Sequence, residues 1–181
     1  SGRRPATPGA AFAMPDRPPH AEGAPDLVRP LPDAEATAAA GRALAGALAP
    51  GDAVLLRGDL GAGKSALARA AVLALLAEDG RAEDVPSPSF TLVQVYESAR
   101  GEIWHADLHR LPGPEAALEL GLEAAFETAI VLVEWPERLG PLTPPRRLEL
   151  TLAFAGADPE SGRRLGARAV GPGWGPALAA L

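Results

Sequence analysis

Apolar residues fall into two kinds of run along this chain of 181 residues. Ala53-Val54-Leu55-Leu56-Arg57 and Ile130-Val131-Leu132-Val133 are short and continuous, the pattern of strands covered on both faces, and the second is the most β-branched stretch in the sequence. Longer stretches carry helix formers. Ala34 to Leu48 starts after Asp33, a good N-cap, and stops at Pro50-Gly51, while Lys64 to Ala77 has leucines at 67, 73, 75 and 76. Leu27–Leu31 predicts a first strand. Phe90–Tyr96 and Glu102–Leu108, separated by Glu97-Ser98-Ala99-Arg100-Gly101, predict a hairpin. Pro114–Gly121 and Leu122–Phe126 predict two short helices, Arg147–Phe154 and Arg164–Val170 a closing antiparallel pair, and Pro176–Leu181 a last short helix. Interleaved strands and helices make this an α/β chain with a mixed central sheet flanked by helices. The first 25 residues hold six of the 20 prolines and no periodic apolar pattern. They are expected to form a disordered tail, with residues 26–181 as one folded domain.

One octapeptide turns this outline into chemistry. Gly58-Asp59-Leu60-Gly61-Ala62-Gly63-Lys64-Ser65 fits the phosphate-binding pattern of glycine, four residues, then Gly-Lys-Ser/Thr, and lies between a predicted strand and a predicted helix. A chance match somewhere in a chain of this composition is roughly one in a thousand. Lys64 is the only lysine, among 17 basic residues that are otherwise arginine. A compact ammonium can curl over such a loop to the β- and γ-phosphates, whereas a planar guanidinium is too wide. The three glycines let backbone N–H groups converge on the anion, the helix start adds its dipole, and the Ser65 hydroxyl suits Mg²⁺. The motif predicts nucleoside triphosphate binding on a P-loop NTPase-like three-layer sandwich.

Such a site needs an acid at a neighbouring strand end to hold the metal's water shell. Glu134 directly follows Ile130–Val133, and Asp107 ends Ile103-Trp104-His105-Ala106-Asp107. Either could instead cap a strand. His105 and Asp107 share a strand face. Trp135 either packs near the nucleotide or plugs the sheet edge, Trp104 reads as core, and Trp174 reads as a surface anchor in a Gly/Pro-rich stretch. Ser87-Pro88-Ser89-Phe90-Thr91 is either a Ser-Pro turn or a loop whose hydroxyls sense a γ-phosphate. Arg146, Arg147, Arg163, Arg164 and Arg168 read as a docking face, as nucleotide contacts or, for most of them, as ordinary solvated strand positions.

Composition removes several classes. Cysteine is absent, which excludes disulfides, thiolate metal sites and cysteine nucleophiles, and three scattered histidines make no zinc site. The net charge is −6 and the tail contributes +1, leaving −7 on the folded part, a poor basis for autonomous binding to a nucleic acid backbone. No run is long enough to span a bilayer and no export signal is evident, so the cytoplasm is the expected compartment.

Together these motifs resemble the TsaE (YjeE) family. The resemblance rests on Leu31-Pro32-Asp33 followed by Thr37, Gly-Asp-Leu-Gly-Ala-Gly-Lys-Ser, Ser-Pro-Ser-Phe-Thr-Leu-Val, His-Ala-Asp-Leu-His-Arg-Leu and Val-Glu-Trp-Pro-Glu, in that order, from about Leu31 to Val170. It implies a bacterial ATPase that supports threonylcarbamoyladenosine modification of the tRNA adenosine beside the anticodon, by docking on TsaD and TsaB. It further implies that Asp59, Leu60 and the Gly61–Ala66 segment (Gly61, Ala62, Gly63, Lys64, Ser65, Ala66) cradle ATP. Ser65 and Glu134 would hold Mg²⁺, with Lys64, Asp107 and Glu134 catalytic. Asp33, Thr37, Trp135 and Glu137 would border the nucleotide, and Arg163 would add a contact. His109 stands where the family usually has tyrosine and Ser89 where threonine is common, so retuned activity is expected. The rival readings are a small-molecule kinase, disfavoured by the short acidic stretch after Leu111, and a nucleotide-dependent interaction module that does not hydrolyse.

Overall fold

The continuous apolar runs occupy the middle of the sheet because both of their faces are covered. The computed structural model describes residues 23–181, so most of the predicted tail lies outside the described residues. The elements are β1 (Leu27–Leu31), α1 (Ala34–Ala45), β2 (Ala53–Arg57), α2 (Lys64–Ala77), β3 (Val93–Ser98), β4 (Gly101–Asp107), α3 (Pro114–Glu119), α4 (Leu122–Thr128), β5 (Ile130–Glu134), β6 (Arg147–Phe154), β7 (Arg163–Val170) and α5 (Gly175–Ala180). Two 3-10 segments, Pro136–Leu142 and Pro159–Ser161, precede β6 and β7. The strands pair in the order β1-β7-β6-β2-β5-β4-β3. β6, β2, β5 and β4 are parallel, and β3, β7 and β1 join antiparallel at the two sides. The predicted hairpin forms, but with a tighter turn, because Ser98 pairs with Gly101.

Two apolar clusters make the three layers. On one face Leu44 of α1, Leu67 and Leu75 of α2 and Ala177 of α5 pack with Leu56, Leu132 and Leu150. On the other, Leu122 and Phe126 of α4 pack with Leu55, Val131 and Val133. This second cluster takes nothing from β6, β7 or β1, so among the described residues no helix covers that half of the face.

α1 and α2 come closest at Gly41. A Cβ there would lie 2.3 Å from the Leu67 carbonyl oxygen and 3.0 Å from Ala70 Cβ. Helix propensity favours alanine over glycine by about 1 kcal/mol, but overpacking a filled interface costs about 1–3 kcal/mol. Gly41→Ala is therefore expected to lower the urea midpoint. A raised midpoint would show that the helices part without cost.

Two expectations change near the C-terminus. Trp174 is buried, at 2% exposure, because α5 folds back onto the first cluster and Arg146 lies over its ring at 4.3 Å. Trp104, expected in the core, is only half-buried against the second cluster. The C-terminal arginines are mostly engaged, not solvated. Arg146 pairs with Asp52 at 2.7 Å, and Arg147 and Arg168 both hold the buried Glu149, at 2.7 and 3.2 Å. Burial alone would raise the Glu149 pKa, but the Arg147 hydrogen bond and the charges of Arg147, Arg168 and Arg57 outweigh it and hold the carboxyl below its ordinary 4.5. A depressed folded pKa stabilises above the unfolded value and is lost as pH falls through the folded one. The melting-temperature gap between wild type and Glu149→Gln is thus expected to be full above pH 4.5 and to close below it. A gap constant from pH 6 to 3 would contradict this.

Candidate nucleotide site

The site lies where the parallel strands end. Leu56 of β2 and Asp107 of β4 both pair with Glu134 of β5, which sets the two acids side by side next to the loop that leaves β2. The loop opens on Gly58 at φ 144°, where a Cβ would lie 2.3 Å from the Leu152 carbonyl oxygen, so only glycine fits. It closes on Gly63, the left-handed N-cap of α2, whose position packs against Thr37 of α1.

Lys64, 4% exposed, donates to the carbonyl oxygens of Gly58 at 2.5 Å and Asp59 at 3.0 Å, and its ammonium lies 4.4 Å from the Trp135 ring centre. Burial lowers its pKa, opposed by the negative charges of Glu134, Glu137, Asp107 and Asp59. Ser65 Oγ donates to Glu134 Oε1 at 2.6 Å, and His105 Nε2 donates to Glu134 Oε2 at 2.7 Å. Glu134 is thereby fixed from both sides, and His105 Nδ1 is left buried without a partner. Asp107 accepts from the backbone N–H and Nδ1 of His109, at 3.1 and 2.9 Å, and from Ser89 Oγ at 3.4 Å. The Ser-Pro loop thus reaches the acid pair through Ser89. Trp135 holds φ 58° and ψ 53°, a left-handed conformation that costs a bulky residue about 1–3 kcal/mol. The strain aims its ring at Lys64 and His109.

The remaining expected residues fall around this centre. Arg163 donates to the Gly61 carbonyl oxygen at 3.2 Å and stacks on Phe154. Glu137 pairs with Arg57 at 3.2 Å. Asp33 caps α1 by accepting from the Ala36 N–H at 2.8 Å, while Asp59, Leu60 and Ala66 face solvent and Ala62 packs inward. Sequence reasoning missed the Arg57–Glu137 pair, whose members lie 80 residues apart without a local signal. A hydroxyl and a carboxylate, hard oxygen donors, fit Mg²⁺ at Ser65 and Glu134. Among the described residues no three His, Cys, Asp or Glu side chains could hold a metal by themselves.

The family model for "Threonylcarbamoyl adenosine biosynthesis protein TsaE" matches residues 31–164. The chain belongs to the TsaE family. Its role is thereby placed in tRNA threonylcarbamoyladenosine biosynthesis. The tRNA threonylcarbamoyladenosine biosynthesis protein TsaE of Rickettsia felis is 38% identical over 122 residues, 67% of this chain and 70% of that protein. The TsaE protein of a Nostoc species is 36% identical over 129 residues, 68% and 76% of the two chains. The crystal structure of Bacillus subtilis YdiB superposes with a TM-score of 0.64 at 29% identity, over 80% of this chain and 86% of that one. The TsaE assignment agrees with the mixed sheet and the P-loop nucleotide-binding architecture described above. No helix among the described residues is long and apolar enough to cross a membrane.

Proposed function

We propose that this TsaE-family chain is an ATP hydrolase that binds ATP with Mg²⁺ and acts in the cytoplasm by docking on a TsaD–TsaB pair, meeting tRNA only through that complex. The observation that carries the reading is the buried Lys64 beside a Ser65–Glu134 pair joined at 2.6 Å, at the mouth of a phosphate loop. Lys64 would leave the Gly58 and Asp59 carbonyls for the terminal phosphates, where a positive charge offsets the charge that develops on transfer. Ser65 and Glu134 would hold Mg²⁺, which would supply positive charge against the phosphates. His105 keeps the Glu134 carboxylate in place, and Asp107, held by His109, stands beside it to orient water. Trp135 covers the ammonium and excludes bulk solvent.

An arginine aimed at the transferred phosphate is worth roughly 10³–10⁵ in rate. Among the described residues no arginine bonds to Lys64, Ser65, Asp107 or Glu134, and Arg163 ends on Gly61. The chain alone is therefore expected to turn over slowly and to be stimulated by its partners. ATP hydrolysis measured alone and with TsaD, TsaB and tRNA, with Lys64→Ala as control, tests this. Fast turnover by the isolated protein, or none with every partner present, would overturn it.

A further inference from the structure

The half of the sheet that no helix covers among the described residues carries a groove of about 910 Å³, which backs onto the phosphate loop and is lined at its N-terminal side by Gly23 and Pro25. Val28, Thr151, Arg164, Gly166 and Arg168 line it, and Gly58, Asp59, Trp135 and Glu137 close one end. Strand alternation explains its charge. Arg163 turns toward the loop with Leu165, so Arg164 turns the other way, beside Gly166 and Arg168. Arg57 and Arg147, which alternate with the inward residues of β2 and β6, share this face. Of the residues lining the groove, Arg57, Arg138, Arg164 and Arg168 stand against Asp59, Glu137 and Glu149, one positive charge in excess on a folded part whose formal charge is −7. Arg164 is exposed and has no hydrogen-bond or ion-pair partner among the described residues, and Val28, at 55% exposure, stands opposite Gly166 on the neighbouring strand.

We propose that this groove docks an acidic, partly apolar segment of a protein partner, an inference that rests on the partner-dependent reading above. Carboxylates on the segment would meet Arg164 and Arg168, and an apolar side chain would cover Val28. A continuous phosphate backbone fits less well, because it runs beyond the groove and would meet the −7 of the folded part along its length, whereas a short segment would not. Residues 1–22 carry Arg3, Arg4 and Arg17 against Asp16 and Glu22, the wrong charge for this surface. A partner seated here would also touch Trp135 and Glu137, and so reach the nucleotide site from behind.

Two substitutions test the groove without touching the nucleotide machinery. Arg164→Glu reverses its exposed cation. Gly166→Glu fills it, since a Cβ there would meet only Pro25 Cβ at 3.7 Å and the Thr151 carbonyl oxygen at 4.0 Å, ordinary contacts. Full-length wild type and variants, with ATP and Mg²⁺, are titrated against a purified TsaD–TsaB pair, and separately against tRNA. Both variants should bind ATP as wild type does and melt close to it, yet bind the pair at least about tenfold more weakly, with Arg164→Lys retaining affinity. Unchanged binding of the pair by both variants overturns the groove while leaving the partner reading intact. A wild type that fails to bind the pair overturns both. Loss of tRNA binding alone would assign the groove to RNA. A concentration-dependent dimer abolished by Gly166→Glu would assign it to a second copy, and either result overturns the proposal.

Discussion

Lys64→Ala is expected to weaken ATP binding by about 10²-fold or more while leaving the folded chain intact. Hydrogen bonds to a charged group are worth about 1.5–3 kcal/mol each, and a lysine at this loop position makes more than one to the phosphates. Without it, Glu134, Glu137, Asp107 and Asp59 would confront a polyanion with no local counter-charge. The apo fold should be indifferent, because burial already disfavours the charged amine there, as its lowered pKa records. Ligands stabilise by binding the folded state alone. Adding ATP should therefore raise the melting temperature of wild type and not of the variant. Lys64→Arg should behave like alanine, since the guanidinium is too wide for the loop. An ATP-dependent shift that survives in Lys64→Ala would remove the phosphate loop from the mechanism.

The second large effect is expected at Glu134. Glu134→Gln keeps a side chain of the same shape between Ser65 and His105 but removes the charge that, in the proposed mechanism, would hold Mg²⁺. ATP affinity should stay within a few fold, while partner-stimulated hydrolysis falls by about 10²-fold or more, the cost of losing one preorganised electrostatic contact in such a site. Binding and turnover then separate, which a purely structural glutamate would not produce. Near-normal turnover in Glu134→Gln, with loss in Asp107→Asn, would transfer the role to Asp107.

The sequence made the parallel core legible because Ala53–Arg57 and Ile130–Glu134 are continuous apolar runs, and a strand buried on both faces admits little else. The phosphate loop was legible because its glycines answer to backbone geometry, as the close approach at Gly58 shows. Glu134 could be picked out because a strand end is a local feature. Contacts between distant segments were not legible. Arg57 meets Glu137, Arg146 meets Asp52, and His109 leans toward Trp135, each through the fold and without periodic signal. Trp174 misled for the same reason. Its Gly/Pro-rich surroundings look like surface, yet the chain folds back and buries the ring. The bare half-face was invisible because alternating residues on β6 and β7 read alike whether a helix or solvent covers them.

That Lys64 is the sole lysine has a practical consequence. A lysine-specific endoprotease has one internal bond to cut in the entire chain, between Lys64 and Ser65. Its side chain is buried and the bond lies at the start of α2, so cleavage requires local opening of that turn. The rate at which two fragments form becomes a direct clock of how often the loop breathes, and of how far any bound nucleotide slows it.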